Sequence, residues 1–369
     1  MRNSILNERH KALGCKLDGE TWCDMMIPWS YNTDPNDEVV AVRTCAGLYD
    51  VSALNIVNVT GDDAESVLNR LVAIDISKME DGTSRLAAEV DETGALCDDI
   101  MIIRDSKTKF RVSHGGGITK QNLAALAEGH DVTIEADLDV HILSLQGPKS
   151  LDILASHVNF NLAELPYFKN VKTTAFGRDV YIARGGYSGE RGYEVYCASE
   201  DAVYLWDSIL EAGKPLGAIA ASWDSLELTR IEAGLLFFPF EMPEGDTTPW
   251  EVNMGWCVDI DKESDYIGKE AVLKLRGRER FKHTGLICKS DKAVEAGDKL
   301  FKDGKEVGVV TSASFSRYLM LSIAMVHIKK EFSHIGTEVI VSGSTECHAH
   351  VAHAPFYDPN RLRTHPESK

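Results

Sequence analysis

Two neighbouring carboxylates, Asp98 and Asp99, close the stretch Gly94-Ala95-Leu96-Cys97 and open the apolar run Ile100-Met101-Ile102-Ile103. An acid at the mouth of a buried strand must be paired, raised in pKa or put to use, so the tandem pair is a candidate for proton chemistry. Side chains alternate along a strand, so only one of the two can point inward. A turn bearing two solvated acids is the competing reading, because short motifs are weakly specific.

A second constellation is Gly185-Gly186-Tyr187-Ser188-Gly189-Glu190-Arg191-Gly192-Tyr193-Glu194. Its four glycines let backbone approach a ligand closely, while Glu190 and Glu194 offer acceptors to the N–H groups of a flat heterocycle. A plain hairpin loop would use the same residues. His114-Gly115-Gly116-Gly117 is superficially similar to the oxyanion loop of lipases and esterases. That chemistry needs a G-x-S-x-G elbow, and Gly186-Tyr187-Ser188-Gly189-Glu190 fails at its last position. In Cys347-His348-x-His350-x-x-His353, a strand would set His348 and His350 on one face, but no carboxylate partner is evident. Surface histidines on a barrel strand are the better reading, and no metal is expected.

The elements that must hold these groups alternate between short strands and helices. Ile56 to Thr60 reads as a strand, and Asp62 to Leu71 spaces Ala64, Val67, Leu68 and Leu71 as the apolar face of a helix. Ile100 to Arg104 and Phe110 to Ser113 read as paired strands around the turn Asp105 to Thr108, followed by a helix from Thr119 to Ala127. Strands are predicted at Val132 to Glu135 and His141 to Leu145, and Gln146-Gly147-Pro148 then opens another helix. Further strands fall at Val171 to Ala175, Asp179 to Arg184 and Tyr193 to Tyr196, with helices at Ala202 to Glu211 and Trp223 to Ala233. The charged run Arg276-Gly277-Arg278-Glu279-Arg280 reads as a linker into short strands with glycine turns, the pattern of a small antiparallel barrel. The fold class is α+β with an all-β tail.

Bulk properties narrow the function further. A chain of 369 residues exceeds the size at which one core stops growing, so two or three packed subdomains are expected. No apolar run is long enough to span a bilayer. Arg2, Glu8, Arg9, His10 and Lys11 break up the first twenty residues, which argues against a secretory signal. Eight cysteines without a C-x-x-C pair suggest reduced thiols, and the expected location is the cytoplasm. The formal charge of -18 disfavours nucleic acid and anionic membranes, so an anionic ligand would need a local basic patch.

Read in order, these segments resemble the glycine-cleavage T-protein and its relatives, the tetrahydrofolate-dependent demethylases of the dimethylsulfoniopropionate demethylase type. The resemblance starts at His10-Lys11-Ala12-Leu13-Gly14 and continues through Ala41-Val42-Arg43 and Gly47-Leu48-Tyr49-Asp50-Val51-Ser52. The double aspartate, Leu145-Gln146-Gly147-Pro148, the Gly-Tyr-Ser-Gly-Glu loop, Arg230-Ile231-Glu232-Ala233-Gly234, Tyr266-Ile267-Gly268-Lys269-Glu270-Ala271 and Val310-Thr311-Ser312 follow in register. It implies a three-lobed cloverleaf ring with folate in the central channel. One discontinuous lobe would take residues 1–52 and 140–250, an inserted lobe 53–139, a connecting segment 251–280, and an antiparallel β-barrel 281–369.

Carried over residue by residue, the resemblance puts Asp99 beside the reactive N5 of the pterin as the catalytic group, and Glu194 at the pterin amino end. Met101, Ser113, His114 and Tyr187 would join Glu194 in binding tetrahydrofolate, the co-substrate. This chain also departs from the family. Ser52-Ala53-Leu54 stands where the T-protein has Ser-His-Met, and Asp224-Ser225-Leu226-Glu227 stands where it has Gly-Ala-Arg-Asp, so a folate-contacting arginine is missing. The polar "LYGQDM" run becomes Leu236-Phe237-Phe238-Pro239-Phe240-Glu241-Met242. Aromatic faces suit an electron-poor methyl donor, so Trp29, Tyr31, Phe238, Phe240 and Trp250 are expected to cage an onium substrate. Some of these rings would simply pack the core, Phe240 being a candidate, as would the neighbouring Phe237.

The resulting expectation is a demethylase moving a methyl group from a small methylated N-, S- or O-compound to N5 of tetrahydrofolate. A glycine-cleavage aminomethyltransferase, served by a lipoyl carrier protein and making methylenetetrahydrofolate and ammonia, is the alternative. A folate-binding regulatory protein without turnover is the third. The methyl donor and the oligomeric state are not legible in the sequence.

Overall fold

A computed structural model describes residues 2–243 and 245–365. Three β-structures organise it. A six-stranded sheet runs in the order Asn170–Ala175, Arg178–Arg184, Gly192–Ala198, Val140–Gln146, Gly47–Asp50 and Ile219–Ala220, antiparallel except for the last pair. A five-stranded antiparallel sheet runs Thr83–Val90, Leu96–Ser106, Lys109–His114, Asn55–Thr60 and Thr133–Ala136. The last six strands, from Phe281–Cys288 to Cys347–Ala352, close into a barrel, as the glycine-punctuated pattern predicts. Short strands closed on themselves leave no free edge.

Each sheet buries one face against helices. The helix Ser199–Gly213 sets Leu205, Trp206 and Ile209 against Leu143, Leu145 and Val195 of the first sheet. In the second, Val67, Leu68 and Leu71 of Ala64–Leu71 and Leu123 of Thr119–Ala127 cover Ile100, Ile102 and Phe110. Alternation then fixes the other face: with Ile100 and Ile102 turned to the helices, Asp99, Met101 and Ile103 must face away, and all three line a central cavity. The helices at Thr119–Ala127 and Trp223–Glu232 match their expected spans closely, whereas Gln146-Gly147-Pro148 opens only a short helix, Ser150–Leu154.

The charged linker is more than a spacer. It joins the helix Lys269–Leu275 to the barrel, and Arg280 grips Glu251 and Asp246. The helix Trp223–Glu232 is pinned to the barrel by Arg230 on Ser312 and Ser316 on Glu232. All eight cysteines are unbridged, and among the described residues no helix is long and apolar enough to cross a membrane.

Candidate active site

Both sheets and the barrel edge open onto one cavity of about 1230 Å³. The tandem aspartates divide between its inside and its outside. Asp98 is fully buried behind the wall, where it accepts from the N–H of Gly117 at 3.2 Å and the hydroxyl of Thr119 at 3.4 Å. Asp99 faces the cavity, and no side chain among the described residues hydrogen-bonds its carboxyl. Burial, reinforced by the charges of Asp98 and Glu241, pushes that carboxyl well above the usual carboxylate range. A carboxyl group in this state can hold a proton near neutral pH and release it when a neighbour becomes positive.

On the same strand Met101 lines the cavity, and Ser113 lies opposite it in register on the next strand. His114 follows Ser113 on that wall. Both of its ring nitrogens are buried and lack a hydrogen-bond partner among the described residues, Nδ1 lying 3.8 Å from Asp98 Oδ2.

The first sheet supplies the other carboxylate. Glu194 pairs with Ser144 across the strands, and both line the cavity. The Tyr196 hydroxyl donates to Glu194 Oε2 at 3.1 Å and so aims it, while burial raises its pKa. Tyr196 is in turn held edge-on by Tyr181, which carries the Arg111 guanidinium 3.5 Å from its ring centroid. Glu190, the other acceptor of the glycine-rich loop, does not share this wall. It is buried outside the cavity beside Arg43, at 3.4 Å. Arg43 also accepts the loop into the core, donating to the Ser188 carbonyl at 2.7 Å while binding Glu232 through two nitrogens. Glu190 therefore shapes the loop, and Tyr187 at its tip reaches the cavity.

Of the five aromatic residues expected to cage a donor, Trp29, Phe238 and Phe240 line the cavity. Tyr31 and Trp250 do not. The Tyr31 hydroxyl lies 3.0 Å from Nδ1 of His10, which meets Asp50 at 2.9 Å inside the core. Trp250 donates its indole N–H to the Val272 carbonyl at 2.7 Å and packs with Met254 and Val252. An indole or phenol fully served by a buried partner anchors the core instead of a ligand. Conversely, Phe237 lines the cavity and stands 4.9 Å from Trp22 and 5.1 Å from Phe240.

Sequence reasoning also missed the groups beside Glu194. Tyr167, Phe168, Arg184 and Arg361 line that end, and Arg361, Glu194 and Arg184 all act electrostatically on the Tyr167 phenol. Arg184 and Arg361 thus bring positive charge to this end of the cavity in an otherwise acidic chain. Nothing near Tyr167 in sequence signals Arg361; only the closed barrel and the segment after it bring them together.

Residues 6–262 match the GCVT N-terminal domain, and residues 282–358 match the glycine cleavage T-protein C-terminal barrel domain. The heme-dependent oxidative N-demethylase gamma subunit of Ectopseudomonas mendocina is 40% identical over 372 residues, covering 98% of this chain and 97% of that protein. The aminomethyltransferase of Streptomyces coelicolor is 32% identical over 368 residues, with 97% and 98% covered. In fold, the glycine cleavage system aminomethyltransferase T from Bartonella henselae superposes with a TM-score of 0.88 at 24% identity, over 97% of this chain and 98% of that one. The chain thus belongs to the glycine cleavage T-protein family of one-carbon transferases.

Proposed function

We propose that this chain is a tetrahydrofolate-dependent one-carbon transferase that takes up, at the oxidation level of formaldehyde, a carbon that a separate oxidase has already released from an N-methyl compound as an iminium ion or aldehyde. The observation that carries the reading is the pair Asp99 and Glu194, opening into one cavity from two different sheets. Its volume of about 1230 Å³ exceeds the range of about 300–1,000 Å³ usual for one small ligand, leaving room for donor and acceptor together. The residues fit a reduced pterin: Glu194 is an aimed acceptor for ring N–H groups, Leu86 and Met101 offer flat apolar contact, and the Asp99 carboxyl stands unpaired. When bound, the folate supplies a nucleophilic nitrogen.

The chain's own work is then to position and to move protons. Glu194, held by Tyr196, fixes the heterocycle, and fixing two reactants in contact supplies most of the acceleration. Asp99, holding a proton at rest, gives it to the leaving amine or water and takes back the proton of the attacking nitrogen. Overall, the iminium carbon would exchange its amine for the two folate nitrogens, and both displaced N–H protons would leave on that amine as an ammonium ion, so charge and atoms balance. The 40% identity to a gamma subunit named for oxidative N-demethylation supports an N-methyl source, and the aminomethyltransferases support the oxidation level.

Direct transfer of a methyl group to N5 from an onium compound is the second reading, favoured by the aromatic side chains Trp29, Phe237 and Phe240 on the cavity wall. Incubation with tetrahydrofolate and either formaldehyde with dimethylamine or a panel of betaines and sulfonium compounds separates the two. The first reading expects 5,10-methylenetetrahydrofolate formed above the uncatalysed rate; 5-methyltetrahydrofolate from an onium donor would replace it with the second. No folate product in any mixture would sink both.

A further inference from the structure

Beside Asp99, two carboxylates face a single guanidinium. Glu227, on the helix Trp223–Glu232, meets Arg230 with its Oε2 2.9 Å from Nε, and Arg230 Nη1 lies 3.0 Å from Glu241. Two carboxylates thus share one guanidinium, and Tyr187 stands within electrostatic reach of Arg230, Glu241, Glu227 and Asp99. Arg230 and Glu241 are sealed from solvent, whereas 30% of the Glu227 side chain remains accessible and lines the cavity. Arg230 occupies one edge of the Glu227 carboxylate; the remaining lone pairs are available to a ligand.

A cluster of rings adjoins this ion pair, the Arg230 guanidinium lying 5.5 Å from the Phe237 ring centroid. Phe237 lies 4.9 Å from Trp22, 5.1 Å from Phe240 and 6.4 Å from Tyr187, and all four line the cavity. Ring faces attract cations, and a nearby carboxylate adds a full opposite charge. A neutral aldehyde or its hydrate would want hydrogen-bond donors, and the Tyr187 hydroxyl is already spent on the Leu236 carbonyl.

We propose that this end of the cavity is the donor subsite and takes the one-carbon donor as a cation, the iminium ion of an N-methylamine that has already been oxidised. Glu227 is its counter-charge, and Trp22, Tyr187, Phe237 and Phe240 are its walls. The assignment rests on the folate reading only for what lies next to the donor.

The test is calorimetric. Wild-type protein saturated with 5-formyltetrahydrofolate is titrated with tetramethylammonium chloride and, separately, with tert-butanol, a neutral molecule of similar bulk. The cation is expected to bind and tert-butanol not to bind at the same concentrations. Phe237→Leu and Glu227→Gln should each weaken the cation about tenfold, with affinity for 5-formyltetrahydrofolate held within about twofold. Phe237→Leu leaves the Arg230 ion pairs in place, so its loss does not reflect unfolding. Equal binding of the two probes, no binding of the cation, or unchanged cation affinity in both variants overturns the proposal. Failure of the folate reading registers separately, as no heat from 5-formyltetrahydrofolate on the wild type, and the cation titration then runs on the unliganded protein.

Discussion

The main-chain N–H of Asp99 donates to the side chain of Asp98 at 2.9 Å, so the tandem acids form one unit with two faces. Asp98 ties the strand to the Gly115–Gly117 turn and to Thr119, and thereby fixes where Asp99 can point. The charge of the first acid raises the pKa of the second. A structural carboxylate and the proposed proton carrier are thus coupled through one peptide unit.

Asp99→Asn keeps the shape and removes the proton carrier. Turnover should fall at least about tenfold, with affinity for 5-formyltetrahydrofolate largely kept, as measured by product formation and calorimetry. The same change has a stability signature. The folded pKa lies above the unfolded value of about 3.9, so the folded state holds more protons between them. Stability is then lost as pH rises through that window and stays lower at neutral pH. The variant should therefore melt higher than wild type at pH 7, with the gap closing near pH 4. A variant with full turnover would remove Asp99 from the mechanism.

Glu194 and Tyr196 separate a contact from its support. Glu194→Gln gives up a charge-assisted acceptor worth about 1.5–3 kcal/mol, so the dissociation constant for a reduced folate should rise about tenfold or more. Tyr196→Phe leaves the carboxylate in place but unaimed. Its cost should be a smaller, few-fold weakening. If Tyr196→Phe matched Glu194→Gln, the ring would be touching the ligand itself.

Arg43 carries the architecture beneath the glycine-rich loop. Its guanidinium is fully buried among Glu232, Glu190 and the carbonyls of Ser188 and Thr229, with its carbon 4.0 Å from the Tyr357 ring centroid. Arg43→Met strands two carboxylates in the core and should cost about 3–5 kcal/mol, read as a lower urea midpoint. Adding Glu232→Gln should recover part of that loss; no recovery would mean that the carbonyl contacts dominate.

How much of this was legible depended on the range of the interactions. Asp99 and Glu194 were assigned through the resemblance; strand alternation, which is local, says only that one of the two tandem acids turns inward. The same rule explains why Asp98, one position earlier, had to be structural. Tyr31 and Trp250 misled because an aromatic residue is equally suited to a ligand and to a core, and their partners, His10 and Val272, are chosen by tertiary packing. Phe237 was read as core for the same reason. Arg361 and Glu227 became visible only when the barrel and the helix Trp223–Glu232 were seated against the sheets. The barrel itself was foreseeable, since glycine turns between short strands are a local signal.

The barrel wall supplies an acid-sensitive element. His283 and His327 are cross-strand partners with ring centroids 5.7 Å apart, and Phe281 stacks on His327 at 4.2 Å. Burial, with the charges of His327 and Arg230, lowers His283 to about 3, and burial lowers His327 to about 4. Both are neutral in the folded protein at pH 6, whereas an unfolded histidine titrates near about 6.5. The unfolded state therefore binds more protons below that value, and stability falls as pH drops from about 6.5 towards the folded values. His327→Phe, which keeps a ring beside Phe281, should flatten this acid limb in a series of thermal melts between pH 4 and pH 7. In the wild type, neither imidazole should show a titration midpoint between about pH 5 and pH 7. A midpoint near 6.5 for either ring would mean that solvent reaches the pair and that the acid limb has another origin.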